Sequence, residues 1–288
     1  MAAWKIGIIG GSGLYALDAL EDPRWLAVES PWGAASDAVL TGSITGVELV
    51  FLPRHGRGHP IPPHMINARA NIDVLKRLGC TDVLAVSAVG SLRQDHAPGD
   101  FVVVDQFIDR TRGRASTFFE TGMAAHVPMA DPVCPRLAGM AAAAARAAGA
   151  VVHDGGTYLA MEGPQFSTRA ESRLYRSWGC DVIGMTACPE AKLAREAELP
   201  YALLAMVTDY DCWHEGDDVD VAAIVRVMAA NAEIARAAIA GLVRALPAER
   251  MASPIDTVLD TALITAPGAR DPAMLTKLSA VLARTLGH

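Results

Sequence analysis

Basic runs are missing from this chain: no stretch of Lys or Arg exceeds two residues, and the formal net charge over 288 residues is −7. Nothing is therefore available to neutralise the phosphates of a nucleic acid or the surface of an anionic membrane, and a small-molecule partner is expected instead. Also missing is any C-x-x-C pair. The five cysteines, Cys80, Cys134, Cys180, Cys188 and Cys212, are odd in number and scattered, which argues against a disulfide framework and against a metal site. Reduced thiols in a cytoplasmic protein are the expectation. The opening residues lack a basic segment followed by a long apolar one, and the alanine-rich stretch 138–150 is broken by Arg146 and closed by Gly149. Neither export nor membrane insertion is expected.

Apolar material is plentiful, at 51% of residues, enough for a large core. Short β-rich runs lie at residues 5–9, 47–52, 82–87, 101–105, 181–183 and 201–208. Helical stretches fall between and after them, at 64–78, 134–148, 168–178, 189–198, 219–246 and 272–286. This alternation predicts an α/β protein with a largely parallel, mixed central β-sheet flanked by helices. Thr168 and Glu171 have capping-box spacing, and Gly79 and Gly149 follow helical runs where a left-handed residue is wanted. No internal repeat or low-complexity linker divides the chain. Residues 247–254 are expected to separate the main body from a C-terminal helical segment, 247–288.

Chemistry concentrates where strands end. Gly11-x-Gly13-x-x-Ala16 formally fits a dinucleotide fingerprint, but residues 17–32 carry Pro23, Pro31 and no helical period, so the helix such a site needs is not expected. A glycine turn of this kind serves either tight packing or anion binding, with the Ser12 hydroxyl as a further donor. Arg54 and His55 follow the second apolar run; Arg54 can grip a phosphate through two N–H groups and His55 can offer another, unless the loop is simply solvated. Ser87 and Ala88 follow the third. Phe166, in Glu162-Gly-Pro-Gln-Phe-Ser-Thr168, can stack on a flat base or fill core. Asp209 and Asp211 follow the last apolar strand, where desolvation would raise their proton affinity, and their alternation aims both the same way if the strand continues. A solvated strand-end loop is the competing reading.

Taken together, KIGIIGGSGL, RHGRGH with NARANI, AVGSL, PGDFVVVDQFIDRT, EGPQFSTRAES, GMTACPEAKLAREAE and TDYDCW resemble the methylthioadenosine phosphorylase branch of the trimeric purine nucleoside phosphorylases, from Lys5 to about Val227. The resemblance implies a single purine nucleoside phosphorylase-like domain over 1–288 and a homotrimer. It implies phosphate against Ser12, Arg54, His55, Ser87, Ala88 and Thr186. It also implies a purine against Phe166, Asp209 and Asp211, with Met185 and Ser167 near the ribose. Val219, Val221 and Ile224 would line the 5′-methylthio pocket, and His126 would reach it from a neighbouring subunit. Phosphate is then a substrate, and neither metal nor organic cofactor is required.

The expected reaction is attack of phosphate on the anomeric carbon as the bond to N9 stretches, with Asp209 serving the leaving adenine. A 6-oxopurine or methylthioinosine phosphorylase is the nearest rival; that branch favours Asn at the position of Asp209. An NAD-dependent oxidoreductase and a non-catalytic nucleoside-binding protein are the rivals from other classes. The chain departs from the family at Gly184, Ala187 and Cys188, where small residues would alter ribose-site packing.

Overall fold

The computed structural model describes residues 3–11, 13–15, 17–214 and 221–287. In chain order the strands and helices are β1 (Lys5–Gly10), β2 (Glu21–Leu26), β3 (Val39–Ile44), β4 (Val47–Pro53), α1 (Ala68–Arg77), β5 (Asp82–Ser91), β6 (Phe101–Val104), β7 (Gln106–Asp109), α2 (Pro135–Ala147), β8 (Val152–Asp154), β9 (Thr157–Ala160), α3 (Arg169–Ser177), β10 (Val182–Gly184), α4 (Ala187–Glu196), β11 (Tyr201–Asp209), α5 (Val221–Arg244), α6 (Pro272–Lys277) and α7 (Ala283–Leu286). The strands join in one sheet, ordered β2-β3-β4-β1-β5-β10-β9-β7, from which β11, β6 and β8 branch beyond β5. Six pairings are parallel (β1/β4, β1/β5, β5/β11, β6/β8, β7/β9, β9/β10) and four antiparallel (β2/β3, β3/β4, β5/β10, β6/β11). The sheet is thus mixed and largely parallel, as expected.

The apolar runs read as strands because both faces of the sheet are covered. Successive residues alternate between two cores: Ile6 and Ile8, Leu49 and Phe51, and Leu84 and Val86 pack with α2 and α5, while Ile9, Val50, Leu52, Val83 and Ala85 pack with α1 and α4. Local signals set several helix ends. Thr168 and Glu171 form both bonds of a capping box at α3, and Gly79 and Gly149 take positive φ after α1 and α2. The stretch expected to be helical from 64 is a 3-10 turn, Pro63–Met65, and α1 begins only after Asn67 caps it by accepting from the Ala70 N–H. The stretch 272–286 is two short helices rather than one; between them Leu278, Val281 and Leu282 are fully buried.

The segment after α5 shares the main core, to which it gives Val258, Leu259, Ala262 and Met274. Arg250 ties it to the start of β5 through Asp82, at 2.6 Å, and Trp4 donates to the Pro247 carbonyl at 2.8 Å. No helix among the described residues is long and apolar enough to cross a membrane.

Candidate active site

The sheet opens at β5. Its first half pairs with β1, but Gly90 and Ser91 pair with β10 instead, while β11 follows along the other edge. A cavity of about 290 Å³ occupies the resulting crevice, at the C-terminal ends of the parallel strands, where open α/β sheets bind ligands. Its wall includes Gly11, Arg54, His55, Ser87, Ala88, Phe166, Met185, Thr186, Asp209, Asp211 and Ile224. Seven separate segments of sequence thus meet in one place.

After β1 comes the glycine turn. Among the described residues no helix follows it: residues 17–20 lead into the exposed strand β2, which is not the arrangement a dinucleotide site needs. Gly13 has φ +97°, and its carbonyl accepts from Arg236 Nη1 of α5 at 2.7 Å. Ser12 lies outside the described residues.

Arg54 continues the β1/β4 pairing by donating its backbone N–H to Gly10 at 2.9 Å. Its guanidinium is 2% exposed. Nε and Nη2 bond Glu190 at 2.9 and 3.1 Å, Nη2 also reaches the Ile9 carbonyl at 3.4 Å, and Nη1 donates to the Val86 carbonyl at 2.9 Å. Four of the five N–H groups are thereby committed to protein, leaving one on Nη1. This departs from the sequence-based expectation that two N–H groups of Arg54 are available to grip a phosphate. Burial opposes the charge, and the Glu190 carboxylate outweighs it, so the proton affinity rises above the ordinary arginine value. Glu190 in turn accepts from the Tyr201 hydroxyl at 2.9 Å.

His55 is buried, and its Nδ1 lies 2.9 Å from the Ile61 carbonyl. A carbonyl only accepts, so the expected N–H donor is already spent inside the loop. Burial drives the His55 pKa down to about 4, with the neighbouring Arg54 and His59 adding to the effect. Ser87 and Thr186 face each other, hydroxyl to hydroxyl, at 3.1 Å. The Thr186 N–H reaches the Tyr158 hydroxyl at 3.3 Å. Gly184 makes that approach possible, since a Cβ there would stand 2.1 Å from Tyr158 Oη.

Along β11 the register places Ala205 beside Ser87 and Asp209 beside Gly90, so the acids lie three residues of β5, roughly 10 Å, beyond the hydroxyl pair. A bulge at Thr208 ends the regular pairing. Asp211 does not continue the strand; it opens a 3-10 turn with φ +53°, and that turn, rather than strand alternation, brings it beside Asp209. Burial raises the pKa of both carboxyls, against the help that Thr208 and the Asp211 N–H give to ionised Asp209, and the neighbouring Asp209 adds to the rise at Asp211.

The remaining expected residues divide. Phe166 is on the wall and half exposed, whereas Ser167 points its hydroxyl at Met161 Sδ and is not on the wall. Ile224 is on the wall, joined by Met228 and Ala232 at helical spacing, but Val221 is 61% exposed and off it. Val219 lies outside the described residues. His126 sits away from this chain's cavity, its N–H on the Ala262 carbonyl at 2.9 Å. Two supporting groups carried no signal in the sequence. Glu190 is one; Arg114 is the other, its guanidinium bonding Glu162 Oε1 at 3.0 Å and the carbonyls of Met185 and Cys188 at 2.6 and 3.1 Å, which joins two walls of the cavity.

A family model described as the phosphorylase superfamily matches residues 5–245. The chain belongs to the phosphorylase superfamily. The S-methyl-5′-thioadenosine phosphorylase of Cereibacter sphaeroides is 59% identical over 284 residues, covering 98% of each chain. A crystal structure of a methylthioadenosine phosphorylase from an antarctic soil metagenomic library superposes with a TM-score of 0.93 at 45% identity, covering 98% of this chain and 99% of that one. The methylthioadenosine phosphorylase of Schistosoma mansoni, solved in complex with adenine, gives a TM-score of 0.80 at 36% identity, covering 98% and 99%. Both structures therefore share the whole phosphorylase fold described above, including the C-terminal segment.

Proposed function

We propose that this protein catalyses phosphorolysis of 5′-methylthioadenosine to adenine and 5-methylthioribose 1-phosphate. The observation that carries the reading is the two-ended cavity: a cation and paired hydroxyls at one end, buried carboxyls at the other, with an apolar wall between. A displacement at C1′ needs this division, because the nucleophile approaches on the face opposite the one from which the leaving group departs.

Phosphate would lie against Arg54, His55, Ser87, the Ala88 backbone and Thr186, with Ser12 from the glycine turn. Adenine would lie against Phe166 with its polar edge on Asp209 and Asp211. The sugar between them would meet Met185, with Ser167 close by. Ile224 leads the apolar wall toward the 5′ substituent, with Val219 and Val221 on the same segment and His126 supplied by a second subunit of a homotrimer. An oxocarbenium-like sugar is stabilised by the phosphate dianion on one face while Asp209 donates to the departing base, help of a kind typically worth about 10²–10⁴-fold. Phosphate is consumed as a substrate, and the chemistry calls for no cofactor. We read residues 1–288 as one domain because the segment 247–288 shares the core. Five cysteines with no disulfide suit a cytoplasmic enzyme.

The test is adenine release from methylthioadenosine with and without inorganic phosphate. Release only with phosphate, matched by methylthioribose 1-phosphate, is expected. Equal release in phosphate-free buffer would mean hydrolysis and would sink the reading.

A further inference from the structure

His55 lines the cavity and has one ring nitrogen committed to the protein. Since Nδ1 donates to the Ile61 carbonyl, the ring's second nitrogen, Nε2, carries a lone pair. The imidazole is also stacked on His59, with centroids 4.0 Å apart and planes 12° from parallel, and it follows the Arg54 cation in the chain. Two rings and a guanidinium this close disfavour a further positive charge, and the depressed pKa of His55 agrees.

We propose that His55 acts as a hydrogen-bond acceptor that requires its oxyanion to carry a proton, so that this site selects hydrogen phosphate over sulfate. The inference rests on the phosphate reading above. Hydrogen phosphate donates its single O–H to Nε2 and leaves its three other oxygens for the Nη1 proton of Arg54, the Ser87 and Thr186 hydroxyls, and C1′. The oxygen that attacks is thereby an unprotonated one. As the C1′–O bond forms, the C1′–N9 bond breaks and its electron pair goes to adenine, which takes a proton from Asp209 or water. The phosphate keeps its proton through this step and loses it to solvent as the ester. Sulfate has the same charge and nearly the same size in mildly alkaline buffer, but it sets an oxygen lone pair against the Nε2 lone pair.

Calorimetric Kd values for inorganic phosphate and for sulfate, in mildly alkaline buffers of different ionisation enthalpy, test this on wild type and His55→Gln. Wild type should bind phosphate roughly 5–150-fold more tightly than sulfate, the range expected for one unmet polar contact, without net proton uptake. In His55→Gln the ratio should narrow, chiefly through tighter sulfate binding, because the amide NH2 can donate. Equal wild-type affinities, or uptake of a proton with phosphate, would overturn the acceptor role while leaving the phosphate site in place. Unchanged Kd values for both anions in His55→Gln would remove His55 from the site, and with it the proposal.

Discussion

The backbone N–H of Asp211 donates to Asp209 Oδ1 at 2.8 Å, a contact made possible by the left-handed backbone of Asp211. The turn therefore holds the Asp209 carboxyl in a fixed direction while burial raises the proton affinity of both acids. Asp and Asn tolerate such a φ better than most residues, which makes the acid type at 211 a backbone requirement as well as a chemical one.

A raised carboxyl pKa has a cost in stability with a definite sign. Between the unfolded and folded pKa of Asp209 the folded protein holds a proton that the unfolded chain has lost, so stability falls as pH rises through that window. Asp209→Asn removes the ionisation, and its Oδ1 still accepts from Asp211. We expect the variant to have a higher Tm than wild type at neutral pH, with the gain shrinking as the pH drops below the ordinary carboxylate range. A variant less stable than wild type at neutral pH would show that the acid is not held at a disadvantage.

Arg54 and Glu190 form a buried pair, so removing one partner leaves an uncompensated charge. Arg54→Ala should lower unfolding stability by about 3–5 kcal/mol, and Arg54→Ala/Glu190→Gln by less, since the second change removes the orphaned charge. Urea unfolding of both variants measures this. If Arg54→Ala unfolds like wild type, the carboxylate has found another partner.

Much of this was legible and some was not, for physical reasons. Strands buried on both faces, such as β1, β4, β5 and β11, announce themselves as apolar runs. By contrast β2 is exposed throughout and carries Glu21, Asp22, Pro23 and Arg24, and β8 and β9 are only three and four residues long, so neither periodicity nor composition marks them. The strand-end residues lining the cavity could be named from sequence because chemistry-bearing types cluster there. The orientation of Arg54 could not, because its partner Glu190 is 136 residues away and sits in a helix that reads as ordinary. Met228 and Ala232 were within reach, standing four and eight residues after Ile224 on one helical face.

Gly184 is a second packing test. A methyl group there would stand 2.1 Å from Tyr158 Oη and 2.7 Å from its Cζ. Gly184→Ala should cost about 1–3 kcal/mol and displace Thr186 through its bond to Tyr158, raising the phosphate KM. Adding Tyr158→Phe should recover part of the stability, because the nearest clashing atom is gone. No recovery in thermal melts would place the strain elsewhere.

His126 lies away from the cavity of its own chain, so its expected contact with nucleoside requires a neighbour. Light scattering should give three times the 30.3 kDa chain mass, and His126→Ala should raise the methylthioadenosine KM with the phosphate KM unchanged. A fully active species at the mass of one chain would contradict both.

The base preference turns on Asp209. Adenine presents an amino group at C6 that a carboxylate can accept from, and an N7 to which a protonated carboxyl can donate. A 6-oxo purine presents a carbonyl instead, and an ionised Asp209 would set its lone pairs against those of O6 with no donor between them. An unmet polar group costs about 1–3 kcal/mol, which at RT near 0.59 kcal/mol is roughly 5–150-fold in kcat/KM. Methylthioadenosine should therefore be preferred over methylthioinosine by that order. In Asp209→Asn the amide NH2 can donate to O6 or N7, and the preference should narrow or invert. Asp211→Asn serves as the control for loss of charge, because it leaves the Asp209 carboxyl and the left-handed turn in place. The measurement is kcat/KM for both nucleosides with all three proteins. A wild-type preference for methylthioinosine, or a common loss of both activities in Asp209→Asn, would show that this carboxyl does not choose the base.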